Sequence, residues 1–276
     1  MFKWKWHNGK YLIEHGADVN STISCYYYDT FKGSLNERTP LFNRYIEKNE
    51  DVIFYVKFEE NPLFIACKNG NETIVKCLVE HGVDINYTNI CGETPLYIAY
   101  YYGYEAIVKY LIEHGADINK IYNDGETILI KACIDGNKGI VKCLVEHGVE
   151  INNTNEYGET ALFNAFIRGN EAIVKYLVEH GVDINKEKWN GETALFSACE
   201  NGNETIVKYL VEHGADVNKT DEYGYTALFN ACRNGNEAII KYLVKHEKKK
   251  KLKKKKKINS KTLFILCNTL RKQLII

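Results

Sequence analysis

Apolar and polar positions along this chain follow two helical periods and a polar break, repeated many times. In residues 153–185, NTNEYGETALFNAFIRGNEAIVKYLVEHGVDIN, Leu162, Ala165 and Phe166 lie three and four apart, which places them on one face of a helix. Ile173, Val174, Leu177 and Val178 repeat that spacing and predict a second helix. Thr160 precedes the first, where its hydroxyl is expected to cap free backbone N–H groups; in the copies with Pro62 and Pro95, proline takes the tolerated first helical position. Gly169 suits the left-handed turn that ends this helix. Asn170 and Glu171 are expected to cap and charge the start of the next, and His180-Gly181 to stop it. The following VDINKEKWNGE is polar, lacks a helical period and turns about Asn190-Gly191, a pair that favours a tight hairpin.

The pair His-Gly recurs at 81, 114, 147, 180 and 213, and the turn glycine at 92, 125, 158, 191 and 224. Both series step by 33, so the chain is an array of one unit that buries its apolar faces only against its neighbours. Full units are expected at 54–86, 87–119, 120–152, 153–185, 186–218 and 219–245, and YLIEHGADVN at 11–20 is half of an earlier one, making 1–20 a partial repeat. Residues 21–53 have the length of one unit, yet their TPLF sits at 39–42 instead of 28–31. That offset predicts an irregular repeat: an enlarged connection, then a helix pair with its second helix shortened to about Glu50–Lys57.

A unit of turn plus two helices with a Thr-Pro-Leu opening resembles the ankyrin repeat. The residues that carry the resemblance are GETPL at 92–96, GETAL at 158–162 and 191–195, and IVKYLVEHGVDIN at 173–185 with its near copies, over about 54–245. The fold implied is all-α, an ankyrin-repeat solenoid of stacked antiparallel helix pairs joined by β-hairpin-like loops. The family commonly has histidine after Pro-Leu. Here Phe64, Tyr97, Ile130, Phe163, Phe196 and Phe229 stand there, so apolar packing is expected in place of a polar brace.

The frame absorbs most of the apparent chemistry. Cys67, Cys133, Cys199 and Cys232 share one position and Cys77 and Cys143 another; equivalent positions about 8–10 Å apart are too distant for disulfides. They read as small buried thiols in a reducing, intracellular compartment, cytoplasmic or nuclear. His15, His81, His114, His147, His180, His213 and His246 share the last turn of the second helix, too far apart to ligate one metal ion. Glu93, Glu126, Glu159 and Glu192 recur because the unit recurs. No phosphate loop, zinc-protease helix or nucleophile elbow is present, so no enzymatic activity, cofactor, metal or small-molecule substrate is expected.

A net charge of zero hides a division. From Lys245 onward 13 Lys and Arg face Glu247 alone, which leaves 23 basic and 35 acidic residues in the rest. Within Lys248–Lys257 only Leu252 is not lysine. Residues 246–276 therefore read as a disordered lysine-rich tail, usable for nuclear import or for docking to nucleic acid or an anionic membrane with the repeats as spacer. Both irregular ends also suit a fragment of a longer structural array.

The leading expectation is a non-catalytic scaffold for protein–protein interaction. Frame residues build it, and positions that differ among copies are free to specify a partner. These are Ile90, Cys91, Tyr101 and Tyr102; Asn123, Asp124, Ile134 and Asp135; Glu156, Tyr157, Ile167 and Arg168; Trp189, Asn190, Glu200 and Asn201; Glu222, Tyr223, Tyr225, Arg233 and Asn234. The resemblance implies that they line a concave face of hairpin tips and first helices where a protein partner docks, and six of them are the tyrosines and tryptophan favoured at binding hot spots.

Overall fold

A computed structural model describes residues 23–27, 56–167 and 169–251. The chain divides into two compact units, residues 1–116 and 117–276.

In the first unit, β1 (Ile23–Tyr27) and β2 (Val56–Glu60) form an antiparallel ribbon with Cys25 opposite Phe58. Val56 and Lys57 are thus strand residues, against the expected helix at about Glu50–Lys57. The cause is local: Val-Lys-Phe-Glu alternates apolar and polar with period two, and Ile-Ser-Cys-Tyr-Tyr supplies β-branched and aromatic residues suited to a pleated surface. The remainder of that expected helix, the partial repeat at 1–20 and most of 21–53 lie outside the described residues. Two helix pairs follow, α1 (Pro62–Lys68) with α2 (Glu72–Glu80) and α3 (Pro95–Tyr101) with α4 (Glu105–Glu113). Leu63, Leu78, Leu96, Ile107 and Leu111 fill the space between them.

The second unit holds four pairs. They are α5 (Ile128–Asp135) with α6 (Lys138–Glu146), α7 (Ala161–Ile167) with α8 (Glu171–Glu179), α9 (Ala194–Glu200) with α10 (Glu204–Glu212), and α11 (Ala227–Asn234) with α12 (Glu237–Lys251). Successive first helices approach more closely than successive second helices. Small residues allow it: Ala132, Ala165, Ala198 and Ala231 are fully buried at that contact. At the position after Thr-x-Leu, Ile130, Phe163 and Phe196 are buried and Phe229 is half-buried against Tyr225, their rings 4.1 Å apart. Apolar packing does replace the polar brace there.

Helix starts depart from expectation in two ways. The hydroxyls of Thr94 and Thr127 accept from the N–H groups of Tyr97 (3.2 Å) and Ile130 (3.3 Å), but the buried Thr160 hydroxyl makes no hydrogen bond, and Thr193 and Thr226 make no cap bond either. Backbone bridges from Thr154 to Thr160 and from Thr220 to Thr226 already hold two of these approaches extended, so helix entry is fixed without the hydroxyl. Asn170 also fails to cap, whereas Asn137, Asn203 and Asn236 accept from the N–H groups of Ile140, Ile206 and Ile239. Its amide is turned onto Gly136, where a Cβ would come within 2.3 Å of Asn170 Nδ2.

Two further expectations are corrected. The lysine-rich segment is helical as far as Lys251: α12 passes the point where His-Gly stops the other second helices, because Glu247 stands in the glycine slot. Glutamate and lysine are good helix formers, and salt screens repulsion between exposed ammonium groups. Residues 252–276 lie outside the described residues. Cys67, Cys133 and Cys199 are free thiols, fully buried, and burial pushes each up to about 12. Cys232, by contrast, is disulfide-bonded. It is 6% exposed where the other three are 0%, and because those three are free the bond does not join equivalent positions.

Candidate protein-binding surface

Each connection between helix pairs is a hairpin closed by the N–H of its first residue on the carbonyl four residues later. In the second unit these bonds are Tyr122 to Glu126 (3.0 Å), Asn155 to Glu159 (3.0 Å), Lys188 to Glu192 (2.9 Å) and Asp221 to Tyr225 (2.9 Å). Side-chain oxygens reinforce them. Asn155 Oδ1 accepts from the N–H groups of Tyr157 (3.0 Å) and Glu159 (2.9 Å), and Asp221 Oδ1 from those of Tyr223 (3.0 Å) and Tyr225 (2.8 Å). Where tyrosine or lysine opens the hairpin, the residue two further on substitutes: Asp124 accepts from Glu126 N–H and Asn190 from Glu192 N–H.

The hairpins are also joined to each other. Trp189 N–H reaches the Tyr157 carbonyl at 3.5 Å and Glu222 N–H the Asn190 carbonyl at 2.9 Å. Gly158 has φ of 76°, and a Cβ there would lie 2.8 Å from Trp189 Cδ1 and 3.0 Å from its backbone nitrogen, so only glycine permits this approach. Three large side chains consequently stand on adjoining tips and face solvent: Tyr157 is 61% exposed, Trp189 78% and Tyr223 75%. Glu156 and Glu222 are exposed beside them, and Glu222 holds the Tyr223 phenol above its usual range by charge and a hydrogen bond.

The other candidates divide into exposed and committed groups. Ile90 and Tyr101 in the first unit are well exposed, and Tyr101 stacks on Tyr97 and meets Tyr102 edge-on. In the second unit Asn123 and Asp135 are exposed and Ile134 is half-buried. Asp124 is held in an ion pair by Lys131, and Arg233 is paired with Glu200 at 2.6 Å, tying the ends of α9 and α11 together. Ile167 closes α7, and Arg168 lies outside the described residues.

Several connecting residues escaped the sequence reading. Asn119, Asn152 and Asn185, one per unit, accept from the backbone N–H groups of Glu150 (2.8 Å), Asp183 (2.7 Å) and Asp216 (2.7 Å) in the following unit. Lys188 spans two hairpins, 3.0 Å from Glu159 and 4.9 Å from the Phe163 ring centre. Recurrence of Asn in every Asp/Glu-Ile/Val-Asn string was the available signal for the first. Nothing marked the second. His147, His180 and His213 end their helices, each Nδ1 within 2.8 Å of the carbonyl four residues earlier, and His180 and His213 lie on the rings of Tyr176 and Tyr209.

Residues 31–122, 119–188 and 182–255 match the pattern of a family described as ankyrin repeats in three copies. Among solved structures, an ankyrin repeat domain from Acinetobacter baumannii is 32% identical with a TM-score of 0.63, the match covering 66% of this chain and 96% of that one. EF0377, an ankyrin repeat protein, is 33% identical with a TM-score of 0.61 over the same shares. The ankyrin repeat domain of Bcl-3, a member of the IkappaB protein family, is 29% identical with a TM-score of 0.62 over 67% of this chain and 86% of that one. No curated protein sequence matches.

Proposed function

The chain belongs to the ankyrin repeat family, whose repeats generally mediate contacts between proteins and whose domains are typically non-catalytic, and on that premise we propose how it binds. The second unit holds a protein partner on its hairpin tips and first-helix ends, through Glu156, Tyr157, Trp189, Asn190, Glu222, Tyr223 and Tyr225. The observation that carries this reading is the row of Tyr157, Trp189 and Tyr223 on hydrogen-bonded neighbouring tips, exposed to solvent. Large rigid aromatics held by a fixed backbone lose little freedom on binding, which is why such residues dominate interface energetics. Closer approach of successive first helices than of successive second helices supports a concave face on the first-helix side. Six free thiols among the described residues support an intracellular place of action, and the Cys232 disulfide is the observation against it.

Replacing Tyr157, Trp189 and Tyr223 together with alanine tests the reading. Since no frame position is touched, far-UV circular dichroism is expected to stay unchanged. Partners captured from the native cell and quantified by mass spectrometry are expected to fall about tenfold or more. Undiminished capture by a folded triple variant contradicts the assignment of this face.

A further inference from the structure

We infer that the chain covers the open end of its own repeat stack: residues 262–276 fold back over α11 and α12 and are pinned there by a disulfide between Cys267 and Cys232. The bonding partner follows by elimination. The chain has nine cysteines, and apart from Cys232 six of them are free thiols, so the partner is Cys25 or Cys267. Cys25 sits on β1 in the first unit, whereas Cys267 belongs to the second unit together with Cys232. It follows Cys232 by 35 residues, two more than the repeat step of 33, so it does not stand at the equivalent position of a further repeat.

Reach permits the return. Cys232 lies near the end of α11, so the chain leaving α12 at Lys251 must run back along the 15 residues of that helix, a length of about 22 Å. The 16 residues from Lys251 to Cys267 span up to about 50 Å when extended. The face that receives them is apolar and incompletely covered. Leu228, Phe229 and Ile240 are half-buried, although the leucine and the valine at the places of Leu228 and Ile240 are at most 1% exposed in all five earlier repeats. The arriving segment matches that face in chemistry. Leu263, Cys267, Leu270 and Leu274 recur at intervals of four, three and four residues, the spacing of one helix face, so a single apolar stripe carries the bonding sulfur. Lysines 253–257 fall in the connection, where they stay in water.

Two measurements on the monomeric full chain, prepared without reductant, test the inference. In the first, free thiols are blocked, the chain is digested with trypsin, and mass spectrometry reads the linked pair; residues 220–233 joined to residues 262–271 are expected. A link from Cys232 to Cys25, or Cys232 recovered as a blocked free thiol, overturns the pairing. Amide hydrogen exchange then reads the cover. A Leu263→Asp, Leu270→Asp double variant, and separately Cys267→Ser, are each expected to speed exchange about tenfold in α11 and α12. Exchange in α5 and α6 is expected to stay unchanged, because a repeat is stabilised by its immediate neighbours. Thr269→Asp, which lies off the stripe, is expected to change nothing. If the aspartate pair or Cys267→Ser leaves α11 and α12 unchanged, or Thr269→Asp speeds them equally, the segment does not cover this face as a pinned apolar stripe and the inference is overturned.

Discussion

A buried side-chain oxygen that accepts two backbone N–H groups cannot be removed without leaving both donors short of partners, and Asn155, 6% exposed, is such a group. Loss of one such bond costs about 1–3 kcal/mol when the donor stays buried. For Asn155→Ala the expected outcome is a destabilisation of about 2 kcal/mol, read as a lower thermal midpoint, with Asn155→Asp keeping most of the stability because Asp221 does the same work in its hairpin. An unchanged midpoint would show that the hairpin closes without the side chain. This role was hidden in the sequence because Tyr122 and Lys188 occupy the same frame position, so that it looks variable; the function is kept by moving the acceptor two residues on, to Asp124 and Asn190. Thr160 teaches the reverse. Its type and place predict a cap, but hydroxyl direction depends on how the preceding hairpin is bridged, and no local pattern encodes that.

At the scale of elements, the helix pairs were legible because their apolar spacing, Asn starts and His-Gly stops recur in phase. What departs from the frame is what the frame obscured. The strand pair Ile23–Tyr27 and Val56–Glu60 joins segments far apart in sequence, and a period of two over five residues is easily overruled by an expected repeat. The length of α12 turns on one residue. Glu247→Gly restores the usual stop after His246, and loss of the helical segment Glu247–Lys251 is expected, seen as a drop in the far-UV circular dichroism signal and as faster amide exchange at Lys248–Lys251. Unaltered exchange there would mean that the missing glycine is not what lets the helix continue.

For the molecule as a whole, the repeat period gave the family correctly, and the match to the family pattern from 31 to 255 reaches further toward the N-terminus than the residues that carried the resemblance. Among the described residues no helix is long and apolar enough to cross a membrane. The exposed aromatics were found by comparing copies within one chain, since positions free of frame duties stand out once the frame is known. Their adjacency was not legible. It depends on glycines at 158 and 191 letting neighbouring hairpins touch, and on ion pairs such as Arg233 with Glu200 that take some candidates out of play. The direct test of the binding face is to place the photoreactive residue p-benzoylphenylalanine at Trp189 or at Tyr223, and for comparison at Thr205, which is exposed on the second helix α10. After irradiation in the native cell, covalent adducts with a partner protein are expected from positions 189 and 223 and not from 205. Adducts from 205 alone, or equally from all three, would contradict a partner held on the hairpin tips.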